Sequence, residues 1–153
     1  FNGPRIGYKY IDQDTGWRGV IATNGKDFFN IADKYPISLI LHSDIHLNSG
    51  VATLRSFESI AAGNLVISDN HEFMRENFKD SVLYIDIEAP AEEMVKQVEQ
   101  HMEWVKNNPK EAMQKAQRAH QIFLEKFTLE DNLLKIARMH EKILLDEKND
   151  KSR

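Results

Sequence analysis

Short apolar runs alternate along the chain with segments whose apolar residues recur every three or four positions. Pro36-Ile-Ser-Leu-Ile-Leu-His42, Leu65-Val66-Ile67 and Val82-Leu83-Tyr84-Ile85 are nearly unbroken runs, the pattern of strands covered on both faces. Gly19-Val20-Ile21 predicts one more strand. Between them, Lys26 to Lys34 carries Phe28, Phe29 and Ala32 on one side, and Ala52 to Ala62 and Glu72 to Phe78 also read as helices. Strand, helix, strand, helix, strand is the order of a parallel sheet built from crossover units, so the fold class is α/β with a Rossmann-like parallel sheet and flanking helices. Strands are expected near 19–21, 37–42, 65–68 and 82–85. In residues 1–18, Ile6, Tyr8 and Tyr10 alternate as in an exposed strand while Pro4 and three glycines break the pattern; a loop with an edge strand is the expectation.

After Asp86 the period becomes helical almost throughout. Pro90 suits a first turn, and Met94, Val98, Met102 and Val105 recur until Asn107-Asn108-Pro109 stops the helix. A second helix, from about Lys110 to Lys126, has Ala112, Ala116, Ala119 and Phe123 on its inner face. Thr128 is a good N-cap for a third, whose inner face is Leu133, Ile136, Ala137, His140 and Leu144. Residues 1–146 thus read as one domain with a helical C-terminal third, and 147–153 as a charged, disordered tail.

Composition narrows the chemistry. A chain of 153 residues is the size of a single core. With 20 basic against 24 acidic residues there is no excess positive charge to track phosphates, so nucleic acid is not an expected partner. The absence of cysteine excludes disulfides and thiol chemistry and fits the cytoplasm. No transmembrane segment is expected, because no run approaches the ~20 apolar residues a span needs. The chain begins with Phe1 rather than Met and reads as a piece of a longer protein.

The stretch "NSGVATLRSFESIAAGNLVISD", residues 48–69, concentrates the candidate chemistry. Its helix, capped by Ser49 or Thr53 and closed by Gly63, would turn Leu54, Phe57 and Ala61 to the core. It starts outside the carboxyl end of strand 37–42, where open α/β sheets place their ligands. Free N–H groups at a helix start behind small residues suit an anion such as diphosphate. Arg55 could add a charge-assisted bond to the same oxygens, and Glu58, one turn on, suits a pair of sugar hydroxyls. An Arg and a Glu three apart are also, commonly, no more than a solvated helix pair. His42 and His46 are candidates for phosphate or sugar contacts, or satisfied polar residues at a strand end. Asp69 is a weaker candidate, since such a position often caps the next helix. His71, His101, His120 and His140 lack metal-ligand spacing and read as structural. Trp17 and Trp104 read as packing residues, although Trp17 could flank a base. No metal site is expected.

"LRSFESIAAGNLVISD" resembles the donor-binding segment of group-one glycosyltransferases, nearest the spore-maturation-protein-like branch, in which Arg-x-Phe-Glu-x-x-x-x-Gly precedes an apolar strand. "GWRGVIATNGKDFFNIADKYPISLILHS" and "FTLEDNLLKIARMHEKI" extend the resemblance over about residues 16–145. It implies the C-terminal half of a two-domain GT-B enzyme, a Rossmann-like domain that holds a nucleotide-diphosphate sugar. On that resemblance Glu58 matches the ribose-binding glutamate. Arg55 matches its basic neighbour, which would stabilise the leaving diphosphate and be the catalytic residue. Asn48, Ser49, Gly50, Val51, Ala52 and Thr53 match the loop and helix start that hold diphosphate. Gly19, Val20 and Ile21 match the segment whose backbone meets the base. The last helix would cross toward the missing N-terminal domain. Gly50 stands where a related branch carries a first glutamate, eight positions before the second, so its contact to the transferred sugar is missing or comes from elsewhere. No cofactor is implied, and the chain alone would bind donor weakly and catalyse little. Two other readings stay open: a GT-B-shaped nucleotide-sugar epimerase, and a non-enzymatic α/β interaction domain.

Overall fold

The structure is a computed structural model and describes residues 26–32 and 34–150. Its elements, in order, are α1 (Lys26–Ala32), β1 (Ile37–Ile40), α2 (Asp44–Ser49), α3 (Leu54–Ala61), β2 (Leu65–Asp69), α4 (Glu72–Phe78), a 3-10 turn at Lys79–Ser81, β3 (Leu83–Ile85), α5 (Ala91–Asn107), α6 (Pro109–Lys126) and α7 (Leu129–Asp150). The three described strands are parallel in the order β1-β2-β3, with Ile37 opposite Leu65 and Ile67 opposite Leu83. The α/β fold with a helical C-terminal part is therefore as the hydrophobic pattern predicts. The expected strand at Gly19–Ile21, the segment 1–18, Trp17 and residues 151–153 lie outside the described residues. At the other end α7 continues to Asp150, into the segment expected as a tail.

All five residues of β2 are buried, the consequence of its central place between two neighbours and two helical layers. One core cluster joins Ile40, Ile60, Val66, Met74, Phe78, Val82 and Ala119. Phe57, Phe73 and Phe127 pack on its flank with ring centroids 5.5–5.6 Å apart. A second cluster, Leu65, Ala112 and Ala116 with Ile37, Leu83, Trp104 and Val105, collects the first residues of all three strands. Ala112, Ala116 and Ala119 are the buried face of α6, as expected: small side chains let the helix lie close on the sheet. His101 Nε2–H and His120 Nδ1–H donate to the carbonyls of Tyr84 and Ile60 at 2.8 and 3.0 Å, and Trp104 packs, all structural roles.

The helix ends follow local rules. Gly63, at φ +79°, closes α3: its N–H donates to the Ile60 carbonyl and that of Asn64 to Ser59, both at 3.0 Å, the paired bonds of a left-handed C-cap. Thr128 caps α7, accepting from the Asp131 N–H at 3.3 Å. Two inner faces differ from expectation. In α3 the buried residues are Ser56, Ser59 and Ile60, while Leu54 is 71% exposed and Phe57 and Ala61 are half-buried. The face is turned because Ser56 answers a buried polar partner just beyond β1, His42, a preference that apolar periodicity does not contain. In α7, Leu133, Ile136 and Leu144 are exposed, as are Ala137 and His140, because the helix leaves the body after Phe127 and contacts chiefly α6.

Candidate functional site

The carboxyl ends of β1 and β2 carry a buried polar cluster. Just beyond β1, the His42 N–H donates to Asp69 Oδ2 at 2.5 Å, and His42 Nδ1 lies 2.8 Å from Asp69 Oδ1. A carboxylate only accepts, so Nδ1 carries the proton and Nε2 of the neutral ring is an acceptor. Ser56 Oγ, in the first turn of α3, sits 3.3 Å from Nε2. Both side chains of the His42–Asp69 pair are fully buried. Burial lowers the His42 pKa below its ordinary 6.5, assisted by His71 and His46 and opposed by the bond and the charge of Asp69. His71 stacks on His42 with ring centroids 4.1 Å apart, and its Nε2–H donates to the His46 carbonyl at 3.1 Å. The His71 N–H is 3.3 Å from Asp69 Oδ1, so Asp69 serves both the strand end before it and the helix start after it. His71 Nδ1 is buried with no partner among the described residues.

The loop between β1 and α3 is more ordered than its small residues suggest. Residues 44–49 form the short α2, so Asn48 and Ser49 end a helix, and Gly50 closes it at φ +67°. His46 Nδ1 donates to the Val51 carbonyl at 2.9 Å and pins the turn. Val51, Ala52 and Thr53 then lead into α3, with Thr53 as its extended N-cap. The cap residue makes no side-chain cap bond; its Oγ1 lies 3.3 Å from Ser56 Oγ instead. Ser56 N–H turns back to the Thr53 carbonyl, and the N–H groups of Leu54 and Arg55 have no hydrogen-bond partner among the described residues.

Arg55 and Glu58 stand on the outer side of that first turn, Arg55 Nε 3.7 Å from Glu58 Oε2, with 59% and 22% of their side chains exposed. A pair so solvated contributes little to stability, which leaves both groups free for a ligand. Arg55 lines a cleft of about 270 Å³ with Thr53, Ser59, Phe28 and the Ser38–Leu41 edge of β1. Its guanidinium lies 5.7 Å from the Phe28 ring centroid. Glu58 opens instead into a separate, apolar groove of about 470 Å³ with Phe29, Leu54, Phe57, Phe123, Phe127 and Leu129. The two residues touch, yet they line different clefts on either side of α1.

Sequence reasoning assigns Asn48–Thr53, Arg55 and Glu58 to one site; the structure brings Thr53 and Arg55 to one cleft, turns Glu58 into another, and sets a buried polar cluster behind the helix start. His42 and Asp69 were individually visible as strand-end polar residues; Ser56 and the stacking of His71 were not. A serine one turn inside a helix carries no signal until the partner across the sheet end is known. Among the described residues no three His, Cys, Asp or Glu side chains are arranged to hold a metal ion, and no helix is long and apolar enough to cross a membrane.

No curated protein and no solved structure shows a significant match to the chain. A family model described as glycosyl transferase-like matches residues 6–138, a span that holds β1 to β3, the buried cluster, Arg55 and Glu58. By that match, which takes in most of its length, the chain belongs to the glycosyl transferase-like family.

Proposed function

We propose that this chain is the donor domain of a two-domain GT-B glycosyltransferase, which holds a nucleotide-diphosphate sugar while an N-terminal domain supplies the acceptor site. The observation that carries the reading is the first turn of α3: N–H groups without partners among the described residues and an exposed Arg55, at the carboxyl end of the parallel sheet. Diphosphate sits against the Val51–Arg55 backbone, where the helix dipole and N–H groups favour negative charge. Glu58, a turn further, takes the ribose hydroxyls, and Gly19–Ile21 meet the base. Asn48–Gly50 shape the approach from the acceptor side, with His46 at its rim. As the glycosidic bond breaks, negative charge grows on the leaving diphosphate, and Arg55 with the helix start stabilises it more than it stabilises bound donor. The step asks for no metal, and the absence of cysteine fits work in the cytoplasm.

Arg55→Ala in the intact enzyme tests the reading. Turnover is expected to fall about a hundred-fold or more, the scale of losing one charge-stabilising donor, with a smaller change in donor affinity. A loss of affinity with turnover intact would make Arg55 a ground-state anchor. No change in either would place the phosphates elsewhere. Product analysis with and without acceptor distinguishes transfer from epimerisation, since only an epimerase converts donor alone.

A further inference from the structure

A threonine at the N-cap normally lends its hydroxyl oxygen to the second or third N–H of its own helix. Thr53 has the extended backbone of a cap, at φ −71° and ψ 153°, but not the bond. Its hydroxyl is engaged by a chain of buried groups. Asp69 accepts from His42 Nδ1–H, His42 Nε2 accepts from Ser56 O–H across 3.3 Å, and Ser56 Oγ accepts from Thr53 O–H across 3.3 Å. Each donor points inward, toward the carboxylate, and the order is the one the neutral imidazole dictates.

We propose that Asp69, His42 and Ser56 form a positioning relay that draws the Thr53 hydroxyl off the start of α3, so that the Arg55 N–H, the second of the helix, stays open to the donor diphosphate. The relay rests on the donor site being where it is placed above. Neither His42 nor Ser56 touches a ligand, because both are buried. The order Ser, His, Asp is that of a hydrolase, but Ser56 has no exposed surface from which to attack a substrate. A packing role would be filled more cheaply by apolar side chains, since buried polar groups cost free energy unless each is bonded. The charged and titratable groups facing His42 are Asp69 from β2, His71 before α4 and His46 on α2. The two imidazoles oppose its protonation, and a protonated ring would turn Nε2 from acceptor into donor and reverse the relay.

The test is calorimetric titration of the 153-residue chain with UDP, ADP, GDP and dTDP, using whichever binds wild type most tightly, beside thermal melts. Ser56→Ala frees the Thr53 hydroxyl to cap α3 and compete for the Arg55 N–H. Binding is expected to weaken about ten-fold, the scale of one capping interaction. The melting temperature should hold, because the new cap offsets the lost buried bond. Adding Thr53→Val removes the competing hydroxyl and should restore affinity to within about three-fold of wild type, less than half the free-energy equivalent of a ten-fold step. His42→Asn keeps a donor for Asp69 and withdraws the acceptor from Ser56, so it should copy the Ser56→Ala loss. Unchanged affinity in Ser56→Ala and His42→Asn overturns the relay. So does a loss that Thr53→Val does not repair, or one that tracks a fall in melting temperature, since either makes Ser56 a packing residue. If wild type binds none of the four diphosphates, the donor-site reading itself has failed, and the relay with it.

Discussion

The two ends of the sheet are built from opposite materials. At the amino end, Ile37, Leu65 and Leu83 from the three strands meet Ala112 and Ala116 of α6 and Trp104 of α5 in an apolar contact. One polar residue buried there, Asn64, donates from its Nδ2 to the Tyr35 carbonyl and Ser38 Oγ at 3.0 and 2.9 Å. At the carboxyl end, His42, Asp69, His71 and Ser56 are buried instead, within a few ångströms of the helix start that faces the clefts. Apolar contact is non-directional and tolerates small shifts, whereas a hydrogen-bonded cluster sets distances and orientations. The amino end therefore stabilises the domain, and on the donor-site proposal the carboxyl end positions what the ligand meets.

Substitutions at the two ends should separate these roles. Leu65→Ala, at the amino end, leaves a cavity against Ala112 and Ala116 and is expected to cost about 2–5 kcal/mol in urea unfolding. The folded fraction should keep its nucleoside-diphosphate affinity. A parallel loss of affinity would erase the distinction between the ends.

Asp69→Asn, at the carboxyl end, replaces an acceptor of four donors, the His42 N–H, the His42 ring, the Ser68 hydroxyl and the His71 N–H, by a group with one acceptor oxygen. Stranding buried donors costs about 1–3 kcal/mol each, so stability falls, but here affinity should fall further than in Leu65→Ala. Equal affinity in the two variants would show that the carboxyl end only holds the fold together.

The smallest effect is in pH. His42 has a folded pKa below 6.5, because burial disfavours its charged form more than Asp69 favours it; His46 and His71 act with burial. As pH falls below about 7 the unfolded chain takes up this proton first, so stability is present above the ordinary value and lost as pH drops toward the folded one. Melts between about pH 7.5 and 5.5 should show a decline that is shallower in His42→Asn, which has no such proton to take up. An identical decline in wild type and variant would mean that His42 does not titrate differently on folding.

The helical and strand elements were legible because each is a local pattern: an unbroken run such as Leu65-Val66-Ile67, a period such as Ala112, Ala116, Ala119, a cap such as Thr128, a left-handed closure at Gly63. Arg55 and Glu58 were legible as neighbours on one helix for the same reason. Which clefts they line was not, since Phe28, Phe29, Phe123 and the edge of β1 come from distant positions.

Apolar period assigned Leu54 to the core of α3, and tertiary structure gave that place to Ser56 and Ser59. The same period promised α7 a packed face, whereas Leu133 and Ile136 are exposed. Periodicity states that a face exists, and only the neighbouring elements decide whether it is covered or rotated. The sequence by itself determined a parallel α/β domain with a helical C-terminal part and a glycine-closed helix before its central described strand, because turns, caps and runs act over a few residues. Only tertiary structure decided that His42, Asp69 and Ser56 meet behind that helix, since 27 positions separate His42 from Asp69 and 14 separate it from Ser56, and no local rule reaches across that distance.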